Sequence, residues 1–223
     1  MPGFSAMILA GGSASRMNGI NKQLALLEGI PVVVRSALAF QRSALVDEII
    51  LAVPPGEEQD YSALLRSHFV TKLKAVTPGG ETRFLSVKNA LSECGCNYIA
   101  IHDGARPLIL TEDIDRVLSD AVEYNAAIAA APVTDTIKVC SGGNIQHTPD
   151  RNALFAAQTP QAFRKELYLS CVERLGSRAF DLTDDSALLE LCGEQVHITA
   201  VTACNMKVTR PQDLTIAAAV LRR

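Results

Sequence analysis

No apolar stretch in this chain approaches the roughly 18 residues that a membrane-spanning helix needs. The opening residues, Met1-Pro2-Gly3-Phe4-Ser5, lack the basic region of a secretion signal. The expected location is therefore the cytoplasm. There is no long basic run and the formal net charge is −3, which argues against nucleic acid or an anionic membrane as partner. The six cysteines (Cys94, Cys96, Cys140, Cys171, Cys192 and Cys204) form no C-x-x-C pair and have no histidine pair nearby, so no zinc signature exists. Cys94-Gly95-Cys96 has the look of a redox pair, but reduced thiols at a helix end suit a cytosolic chain better. Internal repeats and low-complexity linkers are missing too. What remains is 223 residues, 48% of them hydrophobic, enough for one α/β domain with a large core.

Strand-like apolar runs alternate with helical patterns. Strands are expected over 6–10, 48–53, 73–76, 98–102, 127–131 and 197–201, several apolar on both faces as in a sheet covered by helices. Helices are expected over 32–42, 58–67, 82–91, 112–124, 165–175, 184–192 and 211–221. Pro31 suits a helix start, Thr111 reads as a cap before Glu112 and Asp113, and Thr209-Arg210-Pro211-Gln212 reads as a capping box. This alternation predicts a Rossmann-like three-layer α/β sandwich with a mostly parallel sheet. Residues 137–148 break the rhythm, with two short alternating runs around Gly142-Gly143 that predict a hairpin. A hairpin standing off an α/β core has edges to protect, which a second subunit can cover. A β-arm over about 136–155 is thus expected to serve dimerisation.

Four segments carry chemistry. Leu9-Ala10-Gly11-Gly12-Ser13-Ala14-Ser15-Arg16 is a small-residue loop after the first strand, with Lys22-Gln23 just beyond. Small side chains let backbone N–H groups approach an anion, and two cations neutralise it. The spacing is neither a P-loop nor G-x-G-x-x-G, which excludes a dinucleotide oxidoreductase. Gly79-Gly80-Glu81-Thr82-Arg83-Phe84-Leu85-Ser86 closes a strand-to-helix turn able to read a base edge, with Thr82 as a helix cap. His102-Asp103-Gly104-Ala105-Arg106-Pro107 ends an apolar strand, where α/β sheets bind ligands. There Asp103 suits Mg²⁺, or a simple Asp103–Arg106 pair shapes the turn; His102 reads as structural. The segments 132–138, 150–152, 158–161, 182–185 and 205–211 read singly as turns or caps and together supply hydroxyls and cations for a phosphorylated polyol. No general base or nucleophilic triad is visible, which suits phosphoryl chemistry driven by positioning and charge.

The ordered set LAGGSASRM, NKQ, GGETR..SV, HDGARP, PVTDTIK, DRNALFAAQTPQ, LTDDSALLE and NMKVTRPQDL resembles the 2-C-methyl-D-erythritol 4-phosphate cytidylyltransferase (IspD) family, from Ala6 to Leu214. The resemblance implies a nucleotidyltransferase core, a protruding β-arm, a homodimer, and transfer of CMP from CTP with release of pyrophosphate, in non-mevalonate isoprenoid synthesis. It implies Arg16, Lys22 and Lys207 as the cations around the reacting phosphorus. It places Ala10, Gly11, Gly12, Gly80, Glu81 and Ser86 on the nucleotide, and Asp103, Arg106, Thr136, Arg151, Thr159, Thr183 and Lys207 on the acceptor substrate, with Arg106 and Thr136 on its methylerythritol moiety. Asp103 is also implied as the Mg²⁺ ligand. Two departures stand out. Ala14 replaces a usual glycine, and Asn21 replaces the proline that commonly precedes the lysine, so a more mobile Lys22 loop is expected. The chain ends after the last motif and is expected to carry this activity alone. A cytidylyltransferase for another polyol phosphate, such as ribitol 5-phosphate, and a nucleotide-binding module without catalysis are the competing readings.

Overall fold

A computed structural model describes residues 1–11, 21–201 and 204–222. The chain opens with β1 (Phe4–Leu9), then a two-stranded hairpin of β2 (Leu26–Leu27) and β3 (Ile30–Pro31). There follow α1 (Val32–Arg42), β4 (Val46–Val53), α2 (Glu58–Ser67), β5 (Leu73–Pro78), α3 (Arg83–Leu91) and β6 (Tyr98–Asp103). The second half runs α4 (Thr111–Tyr124), β7 (Ala126–Pro132), β8 (Val139–Ser141), β9 (Asn144–His147), β10 (Phe155–Arg164), α5 (Lys165–Leu175), α6 (Ser186–Leu191), β11 (His197–Ala200) and α7 (Pro211–Leu221).

The main sheet has seven strands in the order β11-β7-β10-β6-β1-β4-β5. Every pairing is parallel except those of β10, which runs antiparallel to both β6 and β7. The strands are apolar on both faces because both faces are covered. In β1, Phe4, Ala6 and Ile8 enter one core with Val33, Phe40, Tyr61 and Val117, while Met7 enters the other with Val87, Tyr168 and Leu188. Thus α1, α2 and α4 lie on one side, and α3, α5 and α6 on the other. Helix α7 packs elsewhere, its Ala217 against Leu27, Val32 and Leu108.

The path from β1 through β4 to β5 moves one way across the sheet, and α3 then carries the chain back to β6 on the other side of β1. The order reverses between β1 and β6, whose last residues Leu9 and Asp103 are in register. A crevice at the carboxyl ends of such strands is where this fold class holds ligands.

Four local expectations need correction. Residues 158–161 are not a turn: they lie inside β10, beside Asp103, because a strand tolerates Pro160 where its ladder is interrupted, between Ala157 and Gln161. Thr111 is the first residue of α4, not its cap, and its hydroxyl donates to the Ala39 carbonyl. The acid of the α7 capping box is Asp213, not Gln212; its carboxylate accepts the N–H groups of Thr209 and Arg210 at 2.7 and 2.8 Å. Helix α6 is also shorter than expected. The hairpin forms as predicted, turning through Gly142 and Gly143 with φ of +55° and +80°, values that glycine adopts without strain. It projects Val139 and Ile145, 40% and 62% exposed, away from the core.

Candidate active site

A cavity of about 470 Å³ opens at the β1/β6 reversal, lined by Gly11, Lys22, Gly80, Glu81, Arg83, Ser86, Asp103 and Lys207, among others. Its loops are tied to the strand ends. Gly104 N–H donates to the Leu9 carbonyl at 2.9 Å, and Gly79 N–H to that of Val53 at 2.6 Å. Across the loop between β5 and α3, Ser86 Oγ accepts the Gly80 N–H at 3.0 Å and donates to the Thr82 carbonyl at 3.1 Å, while Thr82 caps α3 by accepting from Leu85 N–H. A Cβ on Gly80 would fall 2.2 Å from Leu85 Cβ, so only glycine fits this turn without a shift.

The floor is Asp103. Lys207 Nζ lies 2.9 Å and Arg106 Nε 3.4 Å from its Oδ2, and Arg83 Nε lies 3.9 Å from its Oδ1. Burial alone would raise this carboxyl, but Lys207, then Arg83 and Arg106, outweigh burial and hold it far below the usual carboxylate range. Asp103 is an anion throughout the physiological range, set among three cations.

The support beneath it is polar. Asp103 N–H donates to Thr159 Oγ1 at 3.0 Å, and Thr159 Oγ1 lies 3.0 Å from His102 Nδ1. The other His102 nitrogen faces the Arg106 carbonyl at 3.4 Å. Burial lowers the imidazole to about 4, so the ring is neutral, with Nδ1 accepting from the threonine and Nε2–H aimed at the carbonyl. Residues 205–208 are stitched to the same turn: Arg106 Nη1 donates to the Asn205 carbonyl at 2.8 Å, Asn205 Nδ2 to the Thr159 carbonyl at 2.9 Å, and Val208 N–H to the Ala105 carbonyl at 2.8 Å. These bonds carry Lys207 from the C-terminal segment to Asp103.

Of the residues singled out in the sequence, Gly11, Lys22, Gly80, Glu81, Ser86, Asp103 and Lys207 share this cavity. Ala10 follows β1 directly, buried, its N–H on the Ala52 carbonyl. Thr159 and Arg106 stand behind Asp103 rather than on the cavity wall. Thr136 and Arg151 line a separate hollow at the base of the arm, and Thr183 is exposed on the loop before α6. Gly12 and Arg16, with Ala14, lie outside the described residues. Asn21 bonds the lysine's turn on both sides of its amide. Its Oδ1 accepts the Gln23 N–H at 3.0 Å, its Nδ2 donates to Tyr61 Oη at 3.1 Å, and its carbonyl accepts from Leu24 and Ala25. An Asx-type turn does here what a proline's fixed φ would do.

The sequence profile of the family described as "IspD: 2-C-methyl-D-erythritol 4-phosphate cytidylyltransferase" matches residues 4–223. This chain belongs to the IspD family. It is 40% identical over 220 residues to the 2-C-methyl-D-erythritol 4-phosphate cytidylyltransferase of Geobacillus kaustophilus, covering 98% of this chain and 96% of that one. Among solved structures it is similar to 4-diphosphocytidyl-2C-methyl-D-erythritol synthase from Anaerococcus prevotii, with a TM-score of 0.88 and 29% identity, covering 100% and 97% of the two chains. The cytidylyltransferase from Thermus thermophilus gives a TM-score of 0.80 at 27% identity, covering 98% of each chain.

Sequence reasoning within this IspD chain gave no role to Arg83, Gln161 or Asp185. Arg83 is the first residue of α3 and lines the cavity. Its Nη1 is bonded to Asp185 Oδ2, 102 residues away. The available signals were the arginine after the GGET turn and the doubled aspartate of LTDDS, neither of which names its partner.

Proposed function

We propose that the chain transfers CMP from CTP to 2-C-methyl-D-erythritol 4-phosphate, giving 4-diphosphocytidyl-2-C-methyl-D-erythritol and pyrophosphate. The observation that carries this is the cavity at the β1/β6 reversal, lined by Lys22, where Lys207, Arg106 and Arg83 surround one ionised carboxylate beside a glycine turn. An oxygen of the acceptor phosphate attacks the α-phosphorus of CTP. The new O–P bond forms as the bond from the α-phosphorus to the bridging oxygen breaks, and that oxygen leaves with pyrophosphate. Both reactants are anions, so their repulsion is the barrier the protein must lower. Lys22 and Lys207 neutralise the charge developing on the α-phosphate, with Arg16 as the third cation. Gly80, Glu81 and Ser86 hold the cytidine, and Ala10, Gly11 and Gly12 flank the phosphates.

Mg²⁺ suits this donor set. It commonly keeps one or two carboxylates and takes its remaining ligands from phosphates and water, and Asp103 is a single carboxylate kept ionised by its neighbours. The ion would supply charge neutralisation to the nucleotide phosphates, held by Asp103. Arg106 and Thr159 keep that carboxylate in place.

Thr136 and Arg151 sit with the arm, apart from Lys207 in the same protomer. The arm's exposed Ile137, Val139, Ile145 and Phe155 need cover. The working form is a homodimer whose arm lends Thr136 and Arg151 to the acceptor site of the other subunit, where Thr183 also meets the acceptor. Among the described residues no helix is long and apolar enough to cross a membrane, and the proposed place of work is the cytoplasm.

Pyrophosphate release from each of four nucleoside triphosphates, with methylerythritol phosphate and with ribitol 5-phosphate as acceptors, tests the reading. Release only with CTP and methylerythritol phosphate is the expected result. Preference for ribitol 5-phosphate would replace the acceptor, and no release from CTP would replace the reaction.

A further inference from the structure

Arg83 and Asp185 form an ion pair at the edge of the cavity, and it is an unusual one. Asp185 is only 4% exposed. Its Oδ1 accepts from Tyr168 Oη at 3.0 Å and its Oδ2 from Arg83 Nη1. Its backbone N–H donates to Gln161 Oε1 at 2.9 Å, and that oxygen also takes the Ser186 N–H at 3.0 Å. Gln161 itself is buried within β10 and reaches Asp184 Oδ2 at 2.8 Å. Asp185 is thus bolted to α5, β10 and the start of α6 at once.

A buried ion pair is a poor device for stability, because desolvation offsets most of the attraction and apolar replacements often do as well. This pair makes better sense from its open end. The Arg83 guanidinium leaves Asp185 and faces Asp103 Oδ1 at 3.9 Å. The other oxygen of Asp103 is drawn by Lys207 and Arg106. The carboxylate is therefore held between opposed cations, and Arg83 is the only one of the three with an ion-pair partner in the buried core among the described residues. Without it, only Lys207 and Arg106 hold the carboxylate, and both act on the same oxygen.

We propose that Arg83 and Asp185 are a positioning pair: Asp185, fixed in the core, aims the Arg83 guanidinium at Asp103 and so sets the orientation of the carboxylate at the centre of the cavity. The inference rests on the cytidylyl-transfer reading for its link to turnover. The contact itself is a property of the fold.

Kinetics of Arg83→Gln, Asp185→Asn and the double variant test it. Each single change is expected to lower kcat by about tenfold with KM for CTP nearly unchanged, the pattern of lost transition-state positioning. The double variant is expected to match the worse single variant, since both act along one path. Arg83→Lys is expected to stay impaired, because an ammonium lacks the fork that reaches two carboxylates. If Asp185→Asn does not fold, Tyr168→Phe takes its place; it removes one bond to Asp185 and is expected to lower kcat about twofold, but not when Arg83 is already Gln. Multiplying effects in the double variant, full turnover in Arg83→Gln, or full rescue by Arg83→Lys would overturn the proposal. Wild-type pyrophosphate release tests the reaction on its own. The pair is read independently of the reaction by the ¹⁵N signal of Arg83 Nε–H, expected to be sharp in the wild type and exchange-broadened in Asp185→Asn; an unchanged signal would also overturn it.

Discussion

Lys207 Nζ rests 2.9 Å from Asp103 Oδ2, and this contact joins the segment after β11 to the end of β6. Lys207 is the more open partner, its side chain 40% exposed against 13% for Asp103. An ion pair with one wet partner adds little to stability, so its value lies in where it holds the ammonium. Lys207→Ala is expected to lower kcat by about 10²–10³ while leaving the thermal midpoint within a few degrees of the wild type. Steady-state kinetics beside a calorimetric melt checks both halves. A large drop in the midpoint with near-normal turnover of the folded fraction would assign the lysine to architecture alone.

Lys22 shares the cavity, and the Asn21 side chain beside it bonds the turn to Gln23 and Tyr61. Lys22→Ala is therefore expected to fold normally and to lose most of its single-turnover rate, again by about 10²–10³. A rapid-quench experiment with enzyme in excess over CTP measures this directly. A normal rate would remove the residue from the reaction.

Arg151 and Lys207 lie in different hollows of one protomer. If the arm completes its partner's site, mixing Arg151→Ala and Lys207→Ala chains after joint refolding restores activity. Half of the dimers are then mixed, each with one intact site, so about a quarter of wild-type activity returns. Arg151→Ala by itself should raise acceptor KM more than it lowers kcat. No recovery on mixing would place both residues in one subunit's site.

At Gly80 the added methyl of an alanine meets Leu85 Cβ at 2.2 Å. Gly80→Ala must move the turn, at a cost of about 1–3 kcal/mol, and with it the Gly80 N–H that Ser86 holds. Weaker CTP binding and a lower unfolding midpoint are expected together, by titration calorimetry and urea unfolding. Intact binding would mean that the turn relaxes without disturbing the nucleotide side.

His102 supplies a pH dependence. Burial lowers its pKa from 6.5 to about 4, so between those values the unfolded chain binds the proton and the folded one does not. Stability therefore rises with pH across this window and falls as pH drops from 6.5 towards 4, by about 3 kcal/mol in all. Asp103, held low by its cations, acts in the same direction below the ordinary carboxylate range. Urea unfolding from pH 7 to 4 should show the loss. In a folded His102→Gln variant the slope between pH 6.5 and 4.5 should shrink by close to one proton, and an unaltered slope would mean that the ring is charged in the fold.

Much of the fold could be read from local pattern. Helices α1, α2, α5 and α7 begin and end where the pattern places them, the first three through one apolar face and α7 through Pro211 at its first position. The hairpin was legible from Gly142-Gly143, whose positive φ values demand glycine. Strand β10 was not, because Pro160 and the polar Gln158 and Gln161 look like a turn. Only its two neighbours, β6 and β7, make it a strand, and Thr159 thereby meets Asp103.

By itself the sequence determined the alternation of strands and helices, the glycine turns and the stock of cations, since these depend on side-chain type and on neighbours a few residues away. The tertiary structure alone decided that Lys207 and Arg83 join the nearby Arg106 on one carboxylate and that Asp185 anchors Arg83. Such meetings are set by strand order and by which face a helix covers. They join residues far apart along the chain, and local periodicity holds no record of them.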